Sequence, residues 1–208
     1  MTAAAAVLRV GVLASGEGTN LQAILDRVHG REGIAVVAVG SNRADARALE
    51  RARAAGVAAR AFTEPVRAER DAAMAAWLGS QGVGLVVLAG YMQLVMPAFL
   101  QRFPGRVINV HPALLPAFPG IRALEQAIEY GVRVTGVTVH FVDEGVDTGP
   151  VILQRAVEVP PGADAEALHR VLRPHEHELL CEAIRLFARG AVSLDPARPR
   201  HVRIAGEG

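Results

Sequence analysis

In the first half of the chain, short runs that are apolar on nearly every residue alternate with segments of helical spacing. Val7–Ala14 is apolar but for one arginine, and Ile34–Val39, Val57–Phe62, the aliphatic Val83–Ala89 and Arg106–Val110 follow as further runs. Between them, Thr19–Val28 puts Leu21, Ile24, Leu25 and Val28 on one helical face. Ala44–Ala55 is rich in Ala, Leu and Arg and stops at Gly56, and Arg67–Leu78 ends near Gly79. Pro97–Arg102 opens on a proline suited to a first helical turn. A strand that is apolar throughout is buried on both faces, and strands separated by helices run parallel. Right-handed crossovers then place helices on both sides. The pattern predicts an α/β fold: a single open, mostly parallel, doubly wound sheet with helices on both faces and ligands beyond the strands' carboxyl ends.

The second half changes character. Pro112–Ile121 is irregular and holds Pro112, Pro116 and Pro119; Ala123–Tyr130 reads as a helix ended by Gly131. Thr135–Val142 and Pro150–Val159 read as extra strands of the same sheet, joined by the turn-rich Asp143–Gly149. Asp164 caps a long helix running to Arg189, with Pro174 expected to kink or break it. From Ser193 an extended, exposed tail is expected. No linker, repeat or low-complexity tract divides the 208 residues, a length suited to one domain. The expected division is a phosphate-binding α/β half (1–110), a catalytic half (111–190) and a tail (191–208).

Composition removes several chemistries. All 22 basic residues are arginine, which excludes a lysine Schiff base and a lysine-bearing P-loop. The one cysteine, Cys181, permits neither a disulfide framework nor a cysteine zinc cluster within the chain, and is expected as a small buried hydrophobe on a helix. A net charge of +1 argues against a nucleic-acid partner. The start, MTAAAAVLRV, lacks the basic region of a signal peptide, and Gly84–Leu100 is interrupted by Gly90, Gln93 and Pro97, short of the roughly 20 apolar residues of a membrane span. A cytoplasmic protein without a membrane partner is expected, and a homodimer is left open.

Two places carry candidate chemistry. Ser15-Gly-Glu-Gly-Thr-Asn20 joins the first strand to the first helix, where glycines, free N–H groups and the helix dipole suit an anion. A dinucleotide loop would need a third glycine where Leu21 stands, and an acid where Ser41-Asn42-Arg43 stands, so a single phosphate fits better. A tight turn with Thr19 as N-cap explains the same residues, and the loop alone leaves both readings standing. Asn109 and His111, two apart at the end of the fifth strand, point the same way. An amide beside an imidazole can stabilise an oxyanion, and the imidazole can move a proton. A carboxylate of the Asp143–Asp147 loop is placed to pair with His111, and His140 joins this polar cluster. His175-Glu176-His177 lacks the H-E-x-x-H spacing, so no metal is expected.

Taken in order, Ser-Gly-Glu-Gly-Thr-Asn at 15–20, Leu-Ala-Gly-Tyr-Met at 88–92, Ile-Asn-Val-His-Pro-Ala-Leu-Leu-Pro at 108–116 and Val-His-Phe-Val-Asp-Glu-Gly-Val-Asp-Thr-Gly-Pro at 139–150 resemble the phosphoribosylglycinamide formyltransferase family. Those enzymes of purine biosynthesis use 10-formyltetrahydrofolate as formyl donor. The resemblance runs to the final helix. It implies Asn109, His111 and Asp147 as catalytic residues with His140 in support. It implies Gly18, Thr19 and Asn20, with Arg173, Pro174, His175 and Glu176, for the phosphorylated substrate. It implies Met92, Gln93, Leu94 and Val95, with Asp143, Glu144, Gly145 and Val146, for the folate, and Arg67 as a further folate-binding residue. The chain departs from the family pattern at Ala113, Ala117 and Ile-Arg-Ala-Leu (121–124), none of them catalytic positions.

The family's chemistry is direct attack of an amine on the formyl carbon, with no covalent enzyme intermediate. Rival readings sharing the formyl-folate site are a formyltetrahydrofolate hydrolase, expected to add an amino-terminal regulatory domain, and a methionyl-tRNA formyltransferase, expected to add a basic carboxyl-terminal one. The first strand begins within ten residues and the chain is near neutral, which disfavours both. A non-catalytic nucleotide-binding module predicts a damaged trio, and a nucleotide-binding oxidoreductase predicts a dinucleotide loop. Neither feature is present in the sequence.

Overall fold

The computed structural model describes residues 7–206. The first six residues, which open the stretch read for a targeting segment, and the last two of the expected tail lie outside the described residues. Strands and helices alternate as β1 (Leu8–Leu13), α1 (Thr19–Arg27), β2 (Ile34–Ser41), α2 (Arg47–Ala54), β3 (Ala58–Ala61), α3 (Arg67–Ser80), β4 (Leu85–Leu88), α4 (Pro97–Arg102) and β5 (Val107–His111). Then come α5 (Ala123–Tyr130), β6 (Val134–Phe141), β7 (Val151–Glu158) and α6 (Ala165–Ala188). One seven-stranded sheet has the order β3-β2-β1-β4-β5-β6-β7. Its first five strands pair in parallel, as their apolar runs require, while β6 pairs antiparallel with β5 and β7 with β6.

Alternate residues of each strand serve opposite layers. Val10 and Val12 pack with Leu21 and Ile24 of α1, Leu49 of α2, and Leu172 and Ile184 of α6. Leu13, Val86 and Leu88 pack on the other face with Met74 and Leu78 of α3 and Phe99 of α4. Each fully buried Leu, Ile or Val contributes about 1.5–3 kcal/mol. The chain runs from β1 outward to β2 and β3, then returns to lay β4 on the other side of β1. The crevice above β1 and β4 is therefore the switch point where such sheets take ligands.

Three expectations are corrected. Pro174 does not break α6, which runs unbroken from Ala165 to Ala188. The carbonyl it deprives of a partner is that of Arg170, an exposed residue, while buried Leu172, Leu179 and Leu180 hold the flanking turns. Thr19 is not the N-cap of α1; Gly18 takes that place, with no side-chain cap. The segment from Ser193 is no extended tail: β8 (Val192–Asp195) and β9 (Arg198–Ile204) form an antiparallel hairpin. Its Asp195, only 1% exposed, accepts from the Ala197 N–H and meets Arg198 and Arg203 at 3.3 and 3.0 Å. Val192 and Val202 tuck against the core. Cys181 is buried on α6 as expected, and burial pushes its thiol up to about 11. No helix among the described residues is long and apolar enough to cross a membrane.

Candidate active site

The carboxyl ends of β4 and β5, with the end of β6 and the loop after it, open onto one cleft of about 600 Å3, within the range of small-molecule sites. Met92, Leu94, Val95, Val142 and Val146 give it apolar walls; Asn109, His111, His140 and Asp147 give it a polar end. Gln93 lies on one wall, and Asp143, Glu144 and Gly145 line the opposite lip. A third wall, Gly120 to Glu125, comes from the loop into α5 and was not singled out from sequence as part of the pocket.

Asn109 and His111, on alternate residues of β5, both meet Asp147. Asp147 Oδ2 is 3.3 Å from His111 Nδ1, and Oδ1 accepts from the Asn109 amide at 3.3 Å. Oδ1 also lies 3.5 Å from His140 Nε2, and Oδ2 accepts from the Gly120 N–H at 2.8 Å. Burial alone would raise the Asp147 carboxyl; the hydrogen bonds and charges around it, the Gly120 N–H and the charge of His111 among them, outweigh it and bring it down to about 2. Asp147 adopts a left-handed φ of 52°, a conformation uncommon outside glycine but one that aspartate accepts more readily than most residues. Gly149 closes that loop, and any Cβ there would run into the Phe141 carbonyl oxygen. The far side of His111 is also occupied: Nε2 donates to the Phe118 carbonyl at 2.8 Å, in a segment whose Leu115–Pro116 bond is cis.

The glycine turn adjoins this cleft. Ser15 Oγ accepts from the Met92 N–H at 2.9 Å and donates to Asn42 at 2.6 Å. Gly18 has φ of 71°, and a Cβ there would lie 2.8 Å from Cα of Ala48, so only glycine lets α2 come this close. Asn20, at the start of α1, donates to Glu176 Oε2 at 3.0 Å, joining residues 156 positions apart. Both are buried; among the described residues Asn20 Oδ1 has no hydrogen-bond partner, and Glu176 Oε1 has only His169 Nε2 near it, at 3.7 Å. One turn away on α6, Arg173 approaches His169 at 3.4 Å, and His175 lies 3.8 Å from Glu178. Thr19 and Pro174 belong to the same two helix segments.

Arg67 does not line the cleft. Its Nη2 donates to the Leu94 carbonyl, behind the wall. One turn later on α3, Asp71, 2% exposed, accepts from the Met96 N–H at 2.8 Å. The two side chains clamp the wall segment from outside. Asp71 carried no local signal, because its partner lies 25 residues away.

The family model described as formyl transferase matches residues 8–184. The phosphoribosylglycinamide formyltransferase of Mycobacterium tuberculosis (strain CDC 1551 / Oshkosh) is 44% identical over 189 residues, covering 89% of this chain and 87% of its own length. The chain belongs to the phosphoribosylglycinamide formyltransferase family. The counterpart from Haemophilus influenzae is 40% identical over 190 residues, covering 89% of this chain and 90% of its own. The crystal structure of glycinamide ribonucleotide transformylase 1 from Symbiobacterium toebii superposes with a TM-score of 0.91 at 53% identity, covering 95% of this chain and 94% of that one. In this formyltransferase the stretch matched by the family model contains the whole polar end of the cleft and Glu176, and stops short of the β8–β9 hairpin.

Proposed function

We propose that this chain transfers the formyl group of 10-formyltetrahydrofolate to the amine of 5'-phosphoribosylglycinamide, a step of purine (IMP) biosynthesis. The observation that carries the reading is the convergence of an amide, an imidazole and a carboxylate at the polar end of an apolar cleft beside a glycine turn. Gly18, Thr19 and Asn20, with Arg173 to Glu176, take the phosphorylated substrate at the opening of α1. Met92 to Val95 and Asp143 to Val146 hold the donor's ring system, with Arg67 bracing the wall. The amine attacks the formyl carbon, a C–N bond forms, and the carbonyl electron pair moves to oxygen. The Asn109 amide and protonated His111 donate to that oxygen, and Asp147 keeps the imidazolium paired. His111 Nε2 must release the Phe118 carbonyl to do so. The tetrahedral species collapses with cleavage of the bond to the folate nitrogen. That nitrogen receives the proton lost by the amine through a water oriented by Asp147. The chemistry needs no metal and no covalent enzyme intermediate. The partners are two small molecules in a cytoplasmic setting, without nucleic acid or membrane.

The test is to follow the folate absorbance of the donor with purified protein, with and without the ribonucleotide. Donor is expected to be consumed only when both substrates are present. Consumption without the ribonucleotide would mean a hydrolase, and none at all a binding module; either outcome overturns the proposal.

A further inference from the structure

Asn109 stands directly across from His140 in the β5–β6 ladder, and the β6–β7 pairing slips between Val139 and His140. Such irregularities re-aim side chains beside functional sites. The His140 ring is buried, 1% exposed, and its Nδ1 lies 2.7 Å from the Phe141 carbonyl oxygen. A carbonyl only accepts, so Nδ1 carries the hydrogen, and this contact sets the tautomer. Nε2 then faces the Asn109 amide nitrogen at 3.2 Å. An amide nitrogen only donates, so that contact closes when Nε2 is bare. Asp147 Oδ1 is also within 3.5 Å of Nε2, but a hydrogen on Nε2 would oppose the amide hydrogens at the shorter distance. The Asn109 amide, 3.3 Å from Oδ1, supplies that oxygen with a donor instead.

We propose that His140 is a positioning residue for formyl transfer: as a neutral ring with its hydrogen on Nδ1, it accepts one amide hydrogen of Asn109 and fixes which end of that amide meets the reacting oxygen. The two ends of an amide are nearly the same shape, and a flipped Asn109 would turn lone pairs toward a developing oxyanion. With one hydrogen held by His140, the second, on its long bond to Asp147, is the one drawn to the substrate. The inference rests on the proposed formyl transfer.

Two measurements test it. Nitrogen–proton correlation spectra of the wild-type imidazoles at neutral pH are expected to give His140 a protonated Nδ1 and a bare Nε2; a proton on Nε2 overturns the proposal. This readout needs neither turnover nor a variant, so it separates failure of the inference from failure of the wild type to transfer formyl. In steady-state kinetics, His140→Leu is expected to lower kcat about tenfold or more, bounded by the roughly hundred- to thousandfold loss of a whole oxyanion donor. The KM for the ribonucleotide should stay within about twofold, and His140→Gln, whose carbonyl reaches the place of Nε2, should recover most of kcat. In an Asn109→Ala background, His140→Leu should cost nothing further. Multiplying losses, or a glutamine variant no better than leucine, overturns the proposal.

Discussion

Asp147 divides its two oxygens between different partners: Oδ2 takes His111 and the Gly120 N–H, Oδ1 takes Asn109 and the edge of His140. Its carboxyl titrates near 2, below the reference of about 3.9. The folded state therefore binds that proton more weakly than the unfolded chain does. The resulting stabilisation is fully present above about pH 4 and is lost as pH falls through 2. Asp147→Asn removes this dependence. Denaturant midpoints between pH 4 and pH 2 should fall more steeply for the wild type than for the variant, and parallel curves would contradict the account. The pairing of Asn109 with His111 was readable from their spacing of two at a strand tip. The Phe118 carbonyl on His111 Nε2 was not, because a backbone group in an irregular loop leaves no mark on residue types.

Two helices can be tested as elements. Gly18→Ala places a Cβ 2.8 Å from Cα of Ala48 at a φ of 71°. It should cost about 1–3 kcal/mol in denaturant unfolding and weaken ribonucleotide binding; an unchanged midpoint would mean the turn adapts freely. On α3, Asp71→Ala strands the Met96 N–H, a loss of about 1–3 kcal/mol, and loosens the wall that Arg67 braces. The KM for the formyl donor should rise several-fold while the KM for the ribonucleotide stays put, and Asp71→Asn, which keeps an acceptor, should restore it. Equal change in both KM values would assign Asp71 a general structural role. The strands were legible wherever burial on both faces left no polar residue, as in Leu85–Leu88. The run Asp195-Pro196 between alternating Val192 and Leu194 and Val202 and Ile204 held a hairpin signal, obscured by four basic or imidazole side chains on β9.

At the scale of the molecule, the strand order assembles a site from segments far apart in sequence. The β1–β4 switch point sets the glycine turn beside Met92, α6 brings Glu176 to Asn20, antiparallel β6 sets His140 across from Asn109, and the loop after β6 brings Asp147 to His111. The alternation of apolar runs and helices announced the sheet, but not which helices share a layer, since that depends on contacts no local pattern encodes. The β8–β9 hairpin adds one tie to this assembly, from Arg200 to the Thr148 carbonyl at 3.0 Å, beside the Asp147 loop.

The central claim is that the Asn109 amide and the His111 imidazole stabilise the oxygen of the formyl group as its carbon becomes tetrahedral. Single-turnover formyl transfer by Asn109→Ala and His111→Ala, measured beside calorimetric binding of the ribonucleotide, tests it most directly. The account predicts rates lowered roughly a hundred- to a thousandfold, with ribonucleotide affinity retained. A wild-type rate in either variant would contradict it.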